Sequence, residues 1–138
     1  MDAFARRYAI GLVVLALAAV IVWLVSQDSR VAQLNDMLRK DSRLANYPYQ
    51  FTVLALDNGV ASVTSPRSAE VSVIQALRII NPNLRNFGAV SPQMMSAQIE
   101  LAGVQSHAAQ LLQAQADVSS VRWKLDENWL AHHGVYID

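Results

Sequence analysis

Hydrophobic and polar residues are unevenly distributed along this chain of 138 residues, and its longest apolar run lies near the start. From Tyr8 to Val25 the sequence YAIGLVVLALAAVIVWLV contains no charged residue, no amide and no proline. An α-helix needs about 20 apolar residues to cross the hydrocarbon core of a bilayer. Tyr8 and Trp23 stand near the two ends, where aromatic rings favour the headgroup layer. The pattern predicts one transmembrane helix over residues 8–25.

Two alternatives compete with this prediction. The pair Arg6 and Arg7 with the small residues at 16 and 18 is also typical of a cleaved signal peptide, but cleavage there would leave an apolar new N-terminus. A buried core helix is disfavoured because the run has no polar stripe. By number alone, Arg30, Arg39, Lys40 and Arg43 after the span would place that side in the cytoplasm. The Arg pair abuts the span, however, so we expect residues 1–7 to form a cytoplasmic tail.

Residues 26–46 are more polar, but Val31, Leu34 and Leu38 recur at helical spacing. The pattern predicts a juxtamembrane helical stalk that spaces a soluble domain of residues 47–138 from the lipid. A homodimer through a short coiled-coil seam on the stalk is the alternative, although three apolar positions make less than the usual number of heptads.

A β-hairpin is predicted over residues 50–65, where two β-rich runs flank Asn58-Gly59. This dipeptide accepts the positive φ angles of a type I′ turn. Phe51, Val53 and Leu54 place apolar side chains on both faces of the first run, which is typical of a central or covered strand.

Two helices come next in the sequence. Ser65-Pro66 is a start signal for the first, with an alternative start near Ser72, and Asn81-Pro82-Asn83 closes it. The second runs from about Pro92 to Ala116 and tolerates Gly103 in its interior. A break at Gly103, with a strand at residues 96–102, would instead give a ferredoxin-like order of elements.

The last segments are a half-exposed strand around Val121 and a short helix from Glu127 to His133, with Gly134 after it. Arg122 and Lys124 are the outward positions of the strand, which suits a sheet edge. We therefore expect an α+β domain in which an antiparallel sheet, made of the hairpin and this later strand, packs on two helices.

Composition excludes several classes of function. Residues 26–138 carry nine Lys or Arg and ten Asp or Glu, a net charge of −1, so a nucleic-acid partner is not expected. The chain has no cysteine, which excludes disulfides and thiolate sites. Neither a nucleophile motif nor a glycine-rich phosphate loop is present, and we predict neither an enzyme nor a cofactor. The adjacent residues His132 and His133 would point about 100° apart on a helix, so no metal site is expected.

Three residues are candidates for an interaction site. Arg67 lies between Pro66 and a predicted helix start, where its planar guanidinium could hold a carboxylate or phosphate of a partner. Trp123 and Trp129 could anchor an interface, although tryptophans of this kind more often close the end of a small core.

The segments SPRSAEV and VRWKLDENWLAHHG resemble those of a group of short, single-anchor membrane proteins of Gram-negative bacteria. In outline the chain is also similar to the inner-membrane assembly proteins of type II secretion and type IV pili, whose modules are ferredoxin-like. The first resemblance implies no catalytic residue.

These observations predict a single-pass protein of the bacterial inner membrane with a periplasmic domain that docks, without catalysis, on another envelope protein. Two alternatives remain. One is an accessory subunit of a membrane enzyme complex that associates through its transmembrane helix, and the other is a domain that binds a small ligand or peptidoglycan.

Overall fold

A computed structural model describes residues 2–137, and its first element is a single long helix. Helix α1 runs from Ala3 to Lys40 without a break, which corresponds to a length of about 57 Å. Its apolar segment, residues 8–25, contains no buried residue, and its large side chains are exposed. The helix is therefore long and apolar enough to cross a membrane.

The last third of α1 belongs to the core of the domain. Leu34 and Leu38 are only 1% and 2% exposed, and Val31 and Met37 pack beside them. The predicted stalk is therefore not a spacer, and the domain includes residues before the predicted boundary at residue 47. Leu34 and Leu38 could form a coiled-coil seam only if the core opened. A homodimer stays a prediction that would need another surface.

Helix α1 stops at Lys40 because Asp41 adopts an extended conformation and caps the short helix α2, Ser42–Ala45. The Asp41 carboxylate accepts hydrogen bonds from the backbone N–H groups of Arg43 and Leu44, both at 3.1 Å. An aspartate at this position satisfies N–H groups that a helix cannot pair internally. The chain thus turns a corner before it enters the sheet.

Strands β1 (Val53–Asp57) and β2 (Val60–Ser65) form the predicted hairpin. Asn58 and Gly59 have φ angles of 50° and 81°, as the Asn-Gly turn requires. Strand β1 lies at an edge of the sheet, so of the two predicted settings, central or covered, the structure has the covered one. The cover is α1, which packs along β1.

The third strand, β3 (Ser120–Leu125), completes a sheet of order β1-β2-β3 and runs parallel to β2. Val63 lies opposite Trp123 in this register. The sheet is therefore mixed, and the prediction that β3 would pair antiparallel was wrong. The physical reason is the connection, because a crossover through helices returns the chain to the end of the sheet at which β2 began.

Helices α3 (Val73–Ile80) and α4 (Pro92–Gln113) form this crossover, with a 3₁₀ turn at Pro82–Asn86 between them. Ser72 caps α3, so the later of the two predicted starts is the observed one. Helix α4 continues through Gly103, which confirms the long helix; the ferredoxin-like alternative is excluded, because residues 96–102 are helical. A Cβ at Gly103 would stand 2.7 Å from the Arg43 guanidinium.

The core lies between α1, the sheet and α4, and the short helix α5 (Glu127–His132) closes its far end. The predicted α+β class is confirmed. The core side chains come from every layer, and they include Leu34, Leu38, Phe51, Val53, Val63, Leu77, Met94, Leu101, Val104 and Leu112. The apolar stripe of α4 thus covers the sheet and the end of α1 together.

Candidate functional site

The loop that carries Arg67 is built into the domain by a small polar network. The Ser65 hydroxyl accepts a hydrogen bond from the Arg67 N–H at 3.3 Å and donates to the Arg67 carbonyl at 3.1 Å. Gln105, a buried residue of α4, accepts from Arg67 Nε at 3.1 Å. The Gln105 amide also donates to the Ser65 hydroxyl at 3.3 Å. Arg67 is therefore half-buried and fixed from one side, with a structural role in joining β2 to α4.

A cleft near this loop opens between α3, α4 and the turn after α2. Its volume is about 430 Å³, and it is lined by Asn46, Tyr47, Pro48, Leu77, Ile80, Asn81, Leu84, Ala97 and Glu100. Burial, reinforced by the charge of Glu100 and opposed by that of Arg67, raises the pKa of Tyr47 to about 12. The Tyr47 hydroxyl is therefore neutral at physiological pH. It can hydrogen-bond a ligand, but it is not activated as a nucleophile or base.

Trp123 and Trp129 lie in an aromatic cluster with Tyr49 and Phe51. The ring centroids of Phe51 and Trp123 are 5.7 Å apart, and those of Tyr49 and Trp129 are 5.0 Å apart, both edge to face. Neither tryptophan is among the exposed side chains. The two residues thus close the core, as is more usual for tryptophans of this kind, and their role as interface anchors stays a prediction.

Asp126 ties this cluster to the start of α5. The Tyr49 hydroxyl donates to Asp126 Oδ2 at 2.8 Å, while Asp126 Oδ1 accepts from the Trp129 N–H at 3.2 Å. Burial, reinforced by Asp126, raises the pKa of Tyr49 well above its ordinary value. The carboxylate of Asp126 is engaged on both oxygens, which suits a helix cap better than a catalytic group.

The histidines are held singly. His107 Nε2 lies 3.0 Å from both carboxylate oxygens of Asp41, at the corner between α1 and α2. His132 and His133 each donate through Nδ1 to the carbonyl four residues earlier, at 2.6 Å and 2.8 Å. Within residues 2–137 no three His, Asp or Glu side chains group as a metal site would require. The absence of a cofactor stays a prediction.

Besides the three predicted residues, the structure has a group of exposed apolar residues at the start of α4 that was not predicted from the sequence. Val90, Met95 and Ile99 are 87%, 54% and 73% exposed, and we call these three residues the distal patch. Met95 and Ile99 are one turn apart on α4 and face away from the buried stripe that contains Met94 and Leu101. The signal was available, because an apolar residue outside the core stripe of an amphipathic helix has no partner in its own domain.

The distal patch lies at the end of the domain farther from the apolar segment of α1. Helix α4 is antiparallel to α1, since Arg30 donates to Gln115 near the end of α4 and Asp41 contacts His107 near its middle. From His107 back to Pro92 the helix extends about 22 Å further. Val90 and Met95 therefore stand beyond the end of α1.

Comparison with protein-family models, with curated proteins and with solved structures gives no match for this chain.

Proposed function

We propose that this protein is a single-pass membrane protein whose folded domain docks, without catalysis, on another protein of the cell envelope. The observation that carries the proposal is the continuity of α1, which is exposed and apolar over residues 8–25 and buried in the domain core at Leu34 and Leu38. An exposed apolar surface of this size is stable in lipid but not in water. The domain is thus joined to its anchor by a helix.

The proposed location is the bacterial inner membrane with the domain in the periplasm. Arg6 and Arg7 directly precede the apolar segment, and positive charge beside a span favours the cytoplasmic side. Arg30, Arg39, Lys40 and Arg43 come after the segment, but the first of them is five residues beyond Val25, whereas the Arg pair directly adjoins Tyr8. We therefore give the Arg pair before the span the greater weight.

The distal patch is the proposed docking surface, and its proposed occupant is a protein. It faces away from the lipid if α1 crosses the membrane, so the bilayer cannot cover it. Apolar side chains are typical of the centre of a protein interface. A shared membrane would raise the effective concentration of both partners, so that a modest interface would suffice.

A site-specific photocrosslinking experiment tests the proposal in cells. A photoreactive side chain at Met95 should yield one discrete crosslinked protein, and the added change Ile99→Glu should abolish it. Gln110 is the matched control, because it is exposed on the same helix outside the patch. Crosslinks at position 110 that equal those at position 95, or a product unaffected by Ile99→Glu, would reject the distal patch.

The same photocrosslinking experiment distinguishes the proposed function from that of an accessory subunit. Substitutions on the surface of residues 8–25 that abolish association, while Ile99→Glu does not, would support an accessory subunit that packs through its transmembrane helix.

A phosphatase fused after Asp138 reports the side of the membrane on which the domain lies. Phosphatase activity is expected from this fusion. In a second fusion, a fluorescent protein that matures only in the cytoplasm replaces the phosphatase, and its fluorescence would reject the proposed orientation.

A further inference from the structure

Strand β1 descends along α1 toward the apolar segment, and this brings the hairpin close to the proposed membrane surface. Near its start, the strand is fixed to the helix by Asn35, whose side chain hydrogen-bonds both backbone groups of Val53. Further along, helix and strand enclose a cleft of about 260 Å³ lined by Trp23, Leu24, Gln27, Asp28, Val31, Leu54, Ala55, Leu56 and Asp57. The outer part of β1 therefore lies beside the end of the proposed span.

The rise per residue of β1 and of α1 shows which residues of α1 lie level with the tip of the hairpin. From Val53 to Asn58 the strand covers five steps, or about 16 Å. At about 1.5 Å per residue, the same distance along α1 leads from Asn35 back to about Leu24. Leu24 is at the boundary of the apolar segment, so Asn58 and Gly59 lie at the level of Trp23 to Val25. That level is where a bilayer has its headgroups.

The loop between α4 and β3 lies beside the hairpin turn. The Ser119 N–H donates to the Gly59 carbonyl at 2.7 Å, and Asp117 accepts two hydrogen bonds from Arg30, both at 2.7 Å. The hairpin turn with the strand ends beside it, residues 57–60, and this loop with the first residue of β3, residues 114–120, thus form one surface next to the end of the apolar segment. We call it the proximal surface.

Two exposed cations stand just above the proximal surface, on the outer face of the sheet. Arg122 lies opposite Ser62, and Leu54 lines a cleft of about 360 Å³ with Ala55, Ser62, Arg122, Trp123 and Lys124. Arg122 is two residue steps from the start of β3, a rise of about 7 Å, and Lys124 is four steps from it, a rise of about 13 Å. The first distance is within the screening length of about 8 Å at physiological ionic strength. A long Arg or Lys side chain can also extend toward a charged layer.

The acidic groups of this region are partly neutralised. Asp117 is paired with Arg30, whereas Asp28 and Asp57 are exposed. The surface therefore offers both signs of charge beside apolar Leu54, and it matches a layer in which phosphates and ammonium groups alternate. It does not match an acidic or a basic protein surface as well, since neither sign prevails.

We propose that the proximal surface rests in the phospholipid headgroup layer, with Arg122 and Lys124 directed toward lipid phosphates. This inference rests on the proposed anchorage of α1. It adds that the domain has a second, polar contact with the membrane, which leaves the opposite end, with the distal patch, to face a protein partner.

Electron paramagnetic resonance on single-cysteine variants tests the inference, because the chain has no cysteine of its own. The full chain is placed in phosphatidylcholine–phosphatidylglycerol nanodiscs that contain a nickel-chelating lipid. A nitroxide at Asn58→Cys should relax several-fold faster than one at Val90→Cys, because only the first would lie among the headgroups. A nitroxide at Leu15→Cys reports anchorage by its collisions with oxygen, which dissolves in the hydrocarbon core.

The three positions separate the two proposals. If Leu15→Cys is buried in lipid but Asn58→Cys relaxes no faster than Val90→Cys, the headgroup contact is rejected and the anchor stands. If Leu15→Cys is exposed to water, both proposals are rejected. The double change Arg122→Gln with Lys124→Gln should slow the relaxation at Asn58→Cys, and Arg85→Gln, an exposed arginine far from the proximal surface, should not. Equal effects of the two changes would reject the phosphate contact.

Discussion

The side chain of Asn35 forms two hydrogen bonds with the backbone of Val53, accepting from its N–H at 2.7 Å and donating to its carbonyl at 3.0 Å. Asn35 is on α1 and Val53 begins the edge strand, so the amide takes the place of a neighbouring strand. An edge strand that lacks such cover exposes unpaired backbone groups. This pair, together with the core contacts of Leu34 and Leu38, joins the long helix to the sheet.

Loss of the Asn35 amide should therefore destabilise the domain. Asn35→Leu leaves the N–H and carbonyl of Val53 without these partners, which we expect to cost about 1–3 kcal/mol of unfolding free energy. Denaturant unfolding of the full chain in a mild detergent, monitored by tryptophan fluorescence, measures the change. Asn128→Leu is the matched control, because Asn128 is an exposed asparagine on α5. A similar loss in both variants would contradict the role of the amide.

The end of α1 should be required for the domain to fold. A fragment that starts at Ser26 retains Leu34 and Leu38 and should unfold cooperatively, whereas a fragment that starts at Tyr47 should not. Leu34→Ala in the full chain should cost about 2–5 kcal/mol, because it leaves a cavity in the core. Leu17→Ala on the same helix should leave the domain unaffected, since Leu17 is 59% exposed. Cooperative unfolding of the shorter fragment would restore the predicted boundary at residue 47.

The hairpin turn should tolerate no side chain at Gly59. A Cβ there would lie 2.7 Å from the Ser119 hydroxyl oxygen, and the φ angle of 81° is unfavourable for alanine. Gly59→Ala is expected to cost at least about 1–2 kcal/mol by the backbone term alone. Gly88→Ala meets nothing within 4 Å and should be neutral or slightly stabilising. In the double variant Gly59→Ala with Ser119→Ala, only the stability lost through the clash should be recovered. Thermal unfolding of Gly59→Ala, the double variant and Gly88→Ala therefore separates the cost of the clash from the cost of the backbone conformation.

Acid should unfold the domain partly through Asp41. Burial alone would raise the pKa of Asp41, but hydrogen bonds from His107 and from the backbone of Leu44 and Arg43 outweigh it, and the pKa falls below the ordinary 3.8. A carboxyl with a lowered folded-state pKa contributes stability that is complete above its ordinary pKa and is lost as the pH falls through the lowered value. Asp117, whose pKa is lowered by its hydrogen bond from Arg30, acts in the same direction.

Unfolding free energies measured from neutral pH down into the acid range check this expectation. Asp41→Asn should flatten the fall in stability below the ordinary aspartate pKa. Asp36→Asn is the control. The pKa of Asp36 is also lowered, by Arg39, but Asp36 is fully exposed and solvent weakens its ion pair, so this change should leave the acid profile nearly unaltered. An unchanged acid profile in Asp41→Asn would show that the corner between α1 and α2 does not depend on the charge.

Local chemistry was the part of this fold that could be predicted from sequence. The Asn58-Gly59 turn, the Ser91-Pro92 start of α4 and the apolar run of α1 all depend on neighbouring residues, and the structure has each of them. The direction of β3 could not be predicted, because it depends on how α3 and α4 cross over the sheet. Leu34 and Leu38 were misassigned for a related reason: the same helical spacing serves a coiled-coil seam and a core face.

The binding roles predicted for the three candidate residues stay predictions. Arg67, Trp123 and Trp129 are all half-buried in their own domain, where Arg67 bonds Gln105 and the tryptophans pack on Tyr49 and Phe51. Residue type alone does not separate an interface anchor from a residue that closes a core. Ile99 and Met95 lie outside the apolar stripe of α4, which the sequence already shows, but the end of the domain at which they lie depends on the position of α4 in the fold.

If α1 crosses the membrane as proposed, its unbroken course means that the number of residues between the apolar segment and the domain sets the rotation of the domain about the membrane normal. Each residue of a helix rotates the next one by about 100°, so one residue added between Val25 and Arg30 would rotate the distal patch by more than a quarter turn relative to the face that the span presents to its neighbours. Seven added residues would restore nearly the original bearing and raise the domain by about 10 Å. A partner that contacts both the span and the distal patch could no longer contact both after the first insertion. After the second insertion the two surfaces would face as before, but about 10 Å further apart.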